Sequence, residues 1–300
     1  MIDFPAAKIT YKRFNSIENP VFSILIPTWN NLNCLKFCVE SIRRNSHFAH
    51  QIILHINQGN DGTIEWAEEN EISYSLSAQN AGVCYGFNAP ATLAQSDYLV
   101  LLNDDMYLCP DWDFYLWQEI EKIGHPYFAL SSTMIEHTHT KNNCAMAPHD
   151  FGSTPETFNE QALLAVFDKI AFHDWNGSKW YPMVIHRKIW ELVGGLSIEF
   201  SPGMYSDPDF MMKLWQAGVR YFKGVSKSRA YHLMSKSVSR IKKNNGRKQF
   251  LLKWGITSST FSKYYLRMGE PFSGNTGEPA PTPGLKRKLL LNKIKHLLQS

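Results

Sequence analysis

Over the first third of the chain, short apolar runs alternate with stretches of helical periodicity. Residues 21–26, 51–56, 72–76 and 98–102 are rich in Ile, Leu, Val, Phe and Tyr, and each gives way to Pro, Asn, Gly or Asp. Runs of that length closed by turn-forming residues predict strands. After the first, Asn33 is placed to cap a helix whose apolar face is Leu35, Val39 and Ile42. Strict alternation of strand and helix predicts a parallel sheet with right-handed crossovers. The run from Tyr98 to Leu102 has no polar interruption, as expected of a strand covered on both faces.

A parallel sheet delivers the loops that follow its strands to one rim, and ligands of open α/β sheets bind there. The loops carry Thr28 and Asn30 after the first strand, Asn57 and Asp61 after the second, and Asn103, Asp104 and Asp105 after the fourth. Asn and Gly are also plain turn formers, and Asn103 can act as a cap. It is the convergence of several such loops that makes Thr28, Asn30, Asn57 and Asp61 candidate nucleotide contacts. Adjacent carboxylates offer hard oxygen ligands for Mg²⁺ or Mn²⁺, ions that neutralise a diphosphate.

Beyond the fourth strand the pattern predicts a helix over 112–123 and a strand over 128–132. A polar stretch over 133–157 includes His137, His139 and His149 without a cysteine at zinc-site spacing, and reads as a loop. An amphipathic helix over 155–169, a strand over 180–185 and a short helix over 187–193 ended by Gly194-Gly195 follow. Residues 133–180 carry no readable recognition code, and Trp180 at their end is a candidate substrate contact. Asp207 is placed at the N-cap of a helix over 210–217, with Pro208 at the favoured first position. A cap would lower its pKa, and a carboxylate there can also serve as a base. Strands over 219–222 and 228–232 complete the unit. The expected division is an N-terminal extension (1–20), a single Rossmann-like α/β domain with a mainly parallel sheet flanked by helices (21–240), helices (241–268), a Pro/Gly-rich linker (269–284) and a basic helix (285–300).

Net charge is only +4 across 300 residues, but no Asp or Glu occurs between Asp209 and Glu270. That makes a local field attractive to anions. No nucleic-acid recognition motif accompanies it. The five cysteines lack CxxC spacing, which suits buried thiols in a reducing compartment. With no apolar N-terminal run and no stretch of about 20 apolar residues, a cytoplasmic location is expected. The last helix puts Leu and Ile on one stripe and Lys and Arg opposite. This is the pattern of an interfacial helix on the inner face of an anionic membrane, or of a packing or dimerising helix.

The motifs together resemble family-2 glycosyltransferases over about residues 20–240. Residues 23–30 (Ser-Ile-Leu-Ile-Pro-Thr-Trp-Asn) resemble the family's opening strand, and Asn80-Ala81-Gly82 its asparagine-glycine loop. Leu102-Asn103-Asp104-Asp105 looks like the D-x-D metal motif. Val193-Gly194-Gly195-Leu196 and residues 205–210 are similar to the G-G-F/L and E-D-x-D segments. Tyr231-His232 with Ser235 and Ser237 resembles the closing histidine motif. The resemblance implies a glycosyltransferase A-type fold, a nucleotide-diphosphate sugar donor, Mn²⁺ or Mg²⁺, and inversion at the anomeric carbon. It implies that Asp105 holds the metal, that Asn103 and Asp104 touch ribose or metal, and that His232 completes the shell or meets the diphosphate. Asn80 and Gly82 would contact the donor. Asp207 would take the proton of an acceptor hydroxyl on a glycan or lipid-linked molecule, as in bacterial surface polysaccharide synthesis. Asn103 stands where the family has an acid and Ser206 where it has Glu, so Asp209 remains a second candidate for the base. A sugar-1-phosphate nucleotidyltransferase would carry a glycine-rich basic loop after the first strand, which is missing here. A non-catalytic carbohydrate-binding module would need neither Asp105, Asp207 nor His232.

Overall fold

The computed structural model describes residues 8–14, 17–140, 142–235 and 243–299. The expected parallel unit is formed by β2 (Ser23–Trp29), β3 (Gln51–Asn57), β4 (Ser73–Ser77) and β5 (Tyr98–Leu101), ordered β4-β3-β2-β5. Helices α1 (Leu32–Asn45), α2 (Thr63–Glu69) and α3 (Gly82–Ala91) are its crossovers. Ile24, Leu25, Ile26, Ile53, Leu54, Leu99, Val100 and Leu101 are fully buried, which accounts for the uninterrupted apolar runs. The N-terminal extension adds β1 (Ile9–Lys12) antiparallel to β4 at the sheet edge.

After β5 the alternation lapses. The chain turns at Asn103–Asp105 straight into a strand, β6 (Met106–Leu108), before α4 (Trp112–Ile123). β7 (Phe128–Glu136), β8 (Ala145–Met146), α5 (Glu160–Leu164), β9 (Trp175–Asn176), β10 (Met183–His186), α6 (Arg187–Val193), α7 (Ser206–Gln216) and β11 (Tyr221–His232) follow. The full order is β1-β4-β3-β2-β5-β10-β7-β11-β6, with β8 on β7 and β9 on β11. β10 runs antiparallel between β5 and β7, and β11 is parallel to β7. The sheet is therefore mixed, with parallel ladders the longer ones.

Several expectations are corrected here. The strand expected to end at 132 runs on to Glu136, because its outer half pairs with the second half of β11. The two strands expected over 219–232 are one, with a register shift between Val225 and Arg229, as a β-bulge produces. The helix expected over 155–169 is regular only in α5.

The C-terminal part comprises α8 (Gly246–Trp254), α9 (Ser258–Thr260) with a π turn over Phe261–Tyr265, and α10 (Pro283–Gln299). Residues 269–284, read from composition as a tether, lie against the domain. Gly269 N–H donates to Asn176 O, Thr276 N–H to Arg220 O, and Arg220 pairs with Glu278 at 3.2 Å. The acid-free stretch is also neutralised in space by acids from elsewhere. Lys223 pairs with Glu119 and Asp174, each at 2.9 Å, and Lys253 with Glu199 at 2.7 Å and Asp209 at 2.9 Å. Part of the basic run 236–248 lies outside the described residues, as does Ser237. All five cysteines are buried free thiols. Among the described residues no helix is long and apolar enough to cross a membrane.

Candidate active site

Strand direction decides where the chemistry gathers. β2, β3, β4, β5, β7 and β11 run the same way, so their carboxyl ends share one rim; the segment entering the antiparallel β10 starts from that rim too. There the chain leaves a cavity of about 640 Å³. Of the residues singled out in the sequence, Thr28, Asn57, Asn80, Gly82, Asn103, Asp104, Asp105, Trp180, Asp207 and His232 line it.

The β6–β11 pairing joins two distant motifs. Its register sets His232 opposite Met106, and Leu233 N–H donates to Asp105 O at 3.0 Å. Asp105 is buried, and its Oδ2 accepts from Ser235 N–H at 2.8 Å and faces His232 Nε2 at 3.4 Å. The other ring nitrogen, Nδ1, faces Glu136 Oε1 at 3.6 Å. Burial works against every charge here, but pairing wins. Asp105 is held below the usual carboxylate range by His232 and Ser235, and Glu136 is lowered chiefly by His232 and Thr140. Asp105 and Glu136 lift His232 to about 10.

These residues fit a divalent cation. Among the described residues no group of three or more His, Cys, Asp or Glu side chains converges as a metal cage. Mg²⁺-type sites are commonly built from one or two protein ligands, with substrate phosphates and water supplying the rest. Asp105 Oδ2 and His232 Nε2 face each other at 3.4 Å. Among the described residues His232 Nδ1 is buried without a hydrogen-bond partner, with Glu136 Oε1 3.6 Å away as the carboxylate that a small shift would bring into an orienting contact. Asp105 and His232 would be the ligands.

Also lining the cavity is the start of α7, which begins at Ser206 after Tyr205, a residue with φ 72°. Asp207 is thus in the first turn and not at the N-cap, so no cap lowers its pKa. Its Oδ1 accepts from Tyr181 Oη–H at 2.9 Å. Burial raises its pKa, opposed by the Lys179 ammonium and the Tyr181 hydroxyl. Lys179 lies 4.6 Å from the centre of the Trp180 ring, and burial lowers its own pKa. Among the described residues Trp180 Nε1 is a buried donor without a hydrogen-bond partner.

Three expected contacts lie outside the cavity lining. Asp209 is fully buried on the next part of α7, where its Oδ1 accepts from Trp254 Nε1–H at 2.8 Å and pairs with Lys253. Asp61 Oδ2 accepts from Leu32 N–H and Oδ1 from Thr63 Oγ1–H, so it tethers the starts of α1 and α2. Asn30 Oδ1 accepts from Asn60 N–H. Thr28 is present but donates to Asp104 Oδ2 at 2.7 Å, so it fixes that carboxylate. Asn57 and Asn80 hold their own loop through Ala81 N–H and Gly82 N–H. Gly82 is required: at φ +82° an added Cβ would sit 2.7 Å from Pro202 Cα. Val83 N–H donates to Pro202 O, which joins this loop to the segment leading into α7.

Residues 23–190, more than half of the chain, match the profile described as Glycosyl transferase family 2. The chain belongs to that family. Curated proteins give no match. Among solved structures it is similar to full S. aureus TarS, with 11% identity and a TM-score of 0.56 over 92% of this chain and 43% of that one. S. aureus TarS 1-349 gives 11% identity and a TM-score of 0.48, and the same segment in complex with UDP gives 12% and 0.47. Each of those two alignments covers 71% of this chain and 58% of the other. The chain thus spans less than two thirds of the TarS structures, and at such identity the likeness concerns the fold, which is of glycosyltransferase A type.

Missed from the sequence were Glu136, Lys179 and Tyr181. Tyr181 and Lys179 sat beside the singled-out Trp180, in a segment readable only as strand. Glu136 lay in a stretch read as loop.

Proposed function

We propose that this family-2 enzyme moves a sugar, with inversion, from a nucleotide-diphosphate sugar to a hydroxyl of a glycan or lipid-linked acceptor in surface polysaccharide synthesis. The observation that carries the reading is one cavity lined by Asp105, Glu136, His232 and Asp207 together. Residues 21–240 form the catalytic unit in this reading, with the helices after 241 as an extension.

The chain's part in the reaction follows from these groups. Asp104, held by Thr28, and Asn103 meet the ribose, and Asn57, Asn80 and Gly82 form the wall against which the nucleotide lies. Asp105 and His232 would hold Mn²⁺ or Mg²⁺, and such an ion would supply positive charge to offset the negative charge of the diphosphate leaving group. Trp180 offers its unpaired indole N–H to a sugar or acceptor oxygen, and Lys179 adds positive charge beside it. Asp207 accepts the acceptor hydroxyl's proton as that oxygen attacks the anomeric carbon on the face opposite the diphosphate. Lys179 and the Tyr181 hydroxyl favour the ionised form of Asp207 against its burial, and the Tyr181 hydrogen bond orients it. Asp209 takes no part, since it lies outside the cavity lining with Oδ1 held by Lys253 and Trp254. A lipid-linked acceptor would put the enzyme to work at the cytoplasmic surface of a membrane.

Binding of a panel of nucleotide sugars, with and without Mn²⁺, tests the reading. Metal-dependent binding of at least one, followed by release of nucleoside diphosphate when acceptor is added, is expected. Metal-independent binding of simple sugars without turnover would instead describe a carbohydrate-binding module.

A further inference from the structure

Helix α10 is docked by one side and apolar on the other. At roughly 100° per residue, Leu285, Leu289, Asn292 and His296 share a stripe. Leu285 and Asn292 are buried. Asn292 Nδ2–H donates to Thr260 Oγ1 at 3.0 Å, its Oδ1 accepts from Thr257 Oγ1–H at 3.4 Å, and His296 Nε2 lies 3.3 Å from Leu252 O. The opposite stripe is Leu290, Leu291, Ile294, Leu297 and Leu298, the last two 76% and 80% exposed. Lys286 and Lys293 border it on one side, Lys288 and Lys295 on the other, Arg287 stands in line with it at its N-terminal end, and the helix carries no acid. A contiguous apolar patch of this kind marks a contact surface.

We propose that this face seats the protein in the interfacial layer of an anionic lipid bilayer. Charge decides for a bilayer over a second copy of the chain. Two copies meeting through the stripe would bring lysine borders together with no acid on the helix to offset them. Anionic headgroups neutralise both borders while the leucines enter the acyl boundary. Lysine stems lie along such a surface and keep their ammonium groups at headgroup level. Because Asn292 locks the opposite side onto the domain, the attachment has a fixed orientation. α8, which receives His296 through Leu252, also packs at its start against the cavity rim, where Gly246 lies beneath Met204 O. The surface goes beyond the transfer chemistry proposed above; it borrows from that reading only the membrane-borne acceptor.

Sedimentation of the full-length protein with vesicles tests it, using phosphatidylglycerol and phosphatidylcholine in equal parts against phosphatidylcholine alone, at low and high salt. Binding to the anionic vesicles alone, weakened by salt, is expected. Ile294→Glu with Leu298→Glu should lower binding by more than about tenfold and leave donor turnover unchanged. Lys288→Gln with Lys293→Gln should flatten the salt dependence. Wild type that ignores anionic vesicles at low salt, or a double Glu variant that binds as wild type, overturns the proposal. So does a dimer, seen by light scattering, that the Glu variant splits. Absence of donor turnover in wild type that binds vesicles counts against the transferase reading alone.

Discussion

Removing one oxygen from the site, by Tyr181→Phe, isolates how Asp207 is kept ready to accept a proton. The Tyr181 hydroxyl lies 2.9 Å from Asp207 Oδ1 and helps to offset the burial that raises this carboxyl. A hydrogen bond to a charged group contributes about 1.5–3 kcal/mol, and about 1.4 kcal/mol corresponds to one pH unit. Without the hydroxyl, the Asp207 pKa should rise further, with Lys179 left as the remaining lowering influence. A base works only when ionised, so activity falls as pH drops through its pKa. The acid limb of the kcat/KM profile should therefore move to higher pH in Tyr181→Phe, while kcat on the alkaline plateau stays close to wild type. The assay is nucleoside diphosphate release across a pH series. An acid limb that does not move, in a variant that still binds donor, would refute the coupling between Tyr181 and Asp207.

Three further variants address the other parts of the cavity. Gly82→Ala should destabilise by about 2–4 kcal/mol, from the positive φ and the lost Val83–Pro202 hydrogen bond, read as a lower urea midpoint with weakened donor binding. Asp105→Asn keeps an acceptor for Ser235 N–H but loses the charge; it should abolish the Mn²⁺-induced rise in Tm and lower turnover by more than about a hundredfold. Glu136→Gln leaves the proposed ligands in place and should weaken Mn²⁺ about 10–100-fold, with turnover near wild type once metal saturates.

The parallel half of the fold was legible because its strands are buried on both faces and their apolar runs are unbroken. Tyr98–Leu101 is the clearest case. The antiparallel half was not, since β6 is three residues long and acquires its partner only when β11 arrives from far along the chain. That same pairing creates the Asp105–His232 contact, so the two motifs could be named from sequence but not joined. Glu136 was hidden for a related reason: its strand is polar along Ser131, Ser132 and Thr133, and hydrogen bonds from Ser228 and Trp175 make that polarity tolerable in a buried place. Asp61, Asn30 and Asp209 have the chemistry of site residues but lie outside the cavity lining, with Asp61 and Asn30 accepting from backbone N–H groups and Asp209 Oδ1 held by Lys253 and Trp254. The N-cap expected at Asp207 failed because Tyr205 takes the left-handed conformation and starts the helix earlier.

The most direct test of Asp207 as the base is the turnover of Asp207→Asn. Asn offers Tyr181 the same acceptor oxygen and occupies nearly the same volume, so fold, cavity and donor affinity should be preserved. With the base gone, kcat for nucleoside diphosphate release in the presence of acceptor should fall roughly 10²–10⁴-fold. Turnover close to wild type, with donor bound as before, would contradict the assignment and remove the proton acceptor from this wall of the cavity.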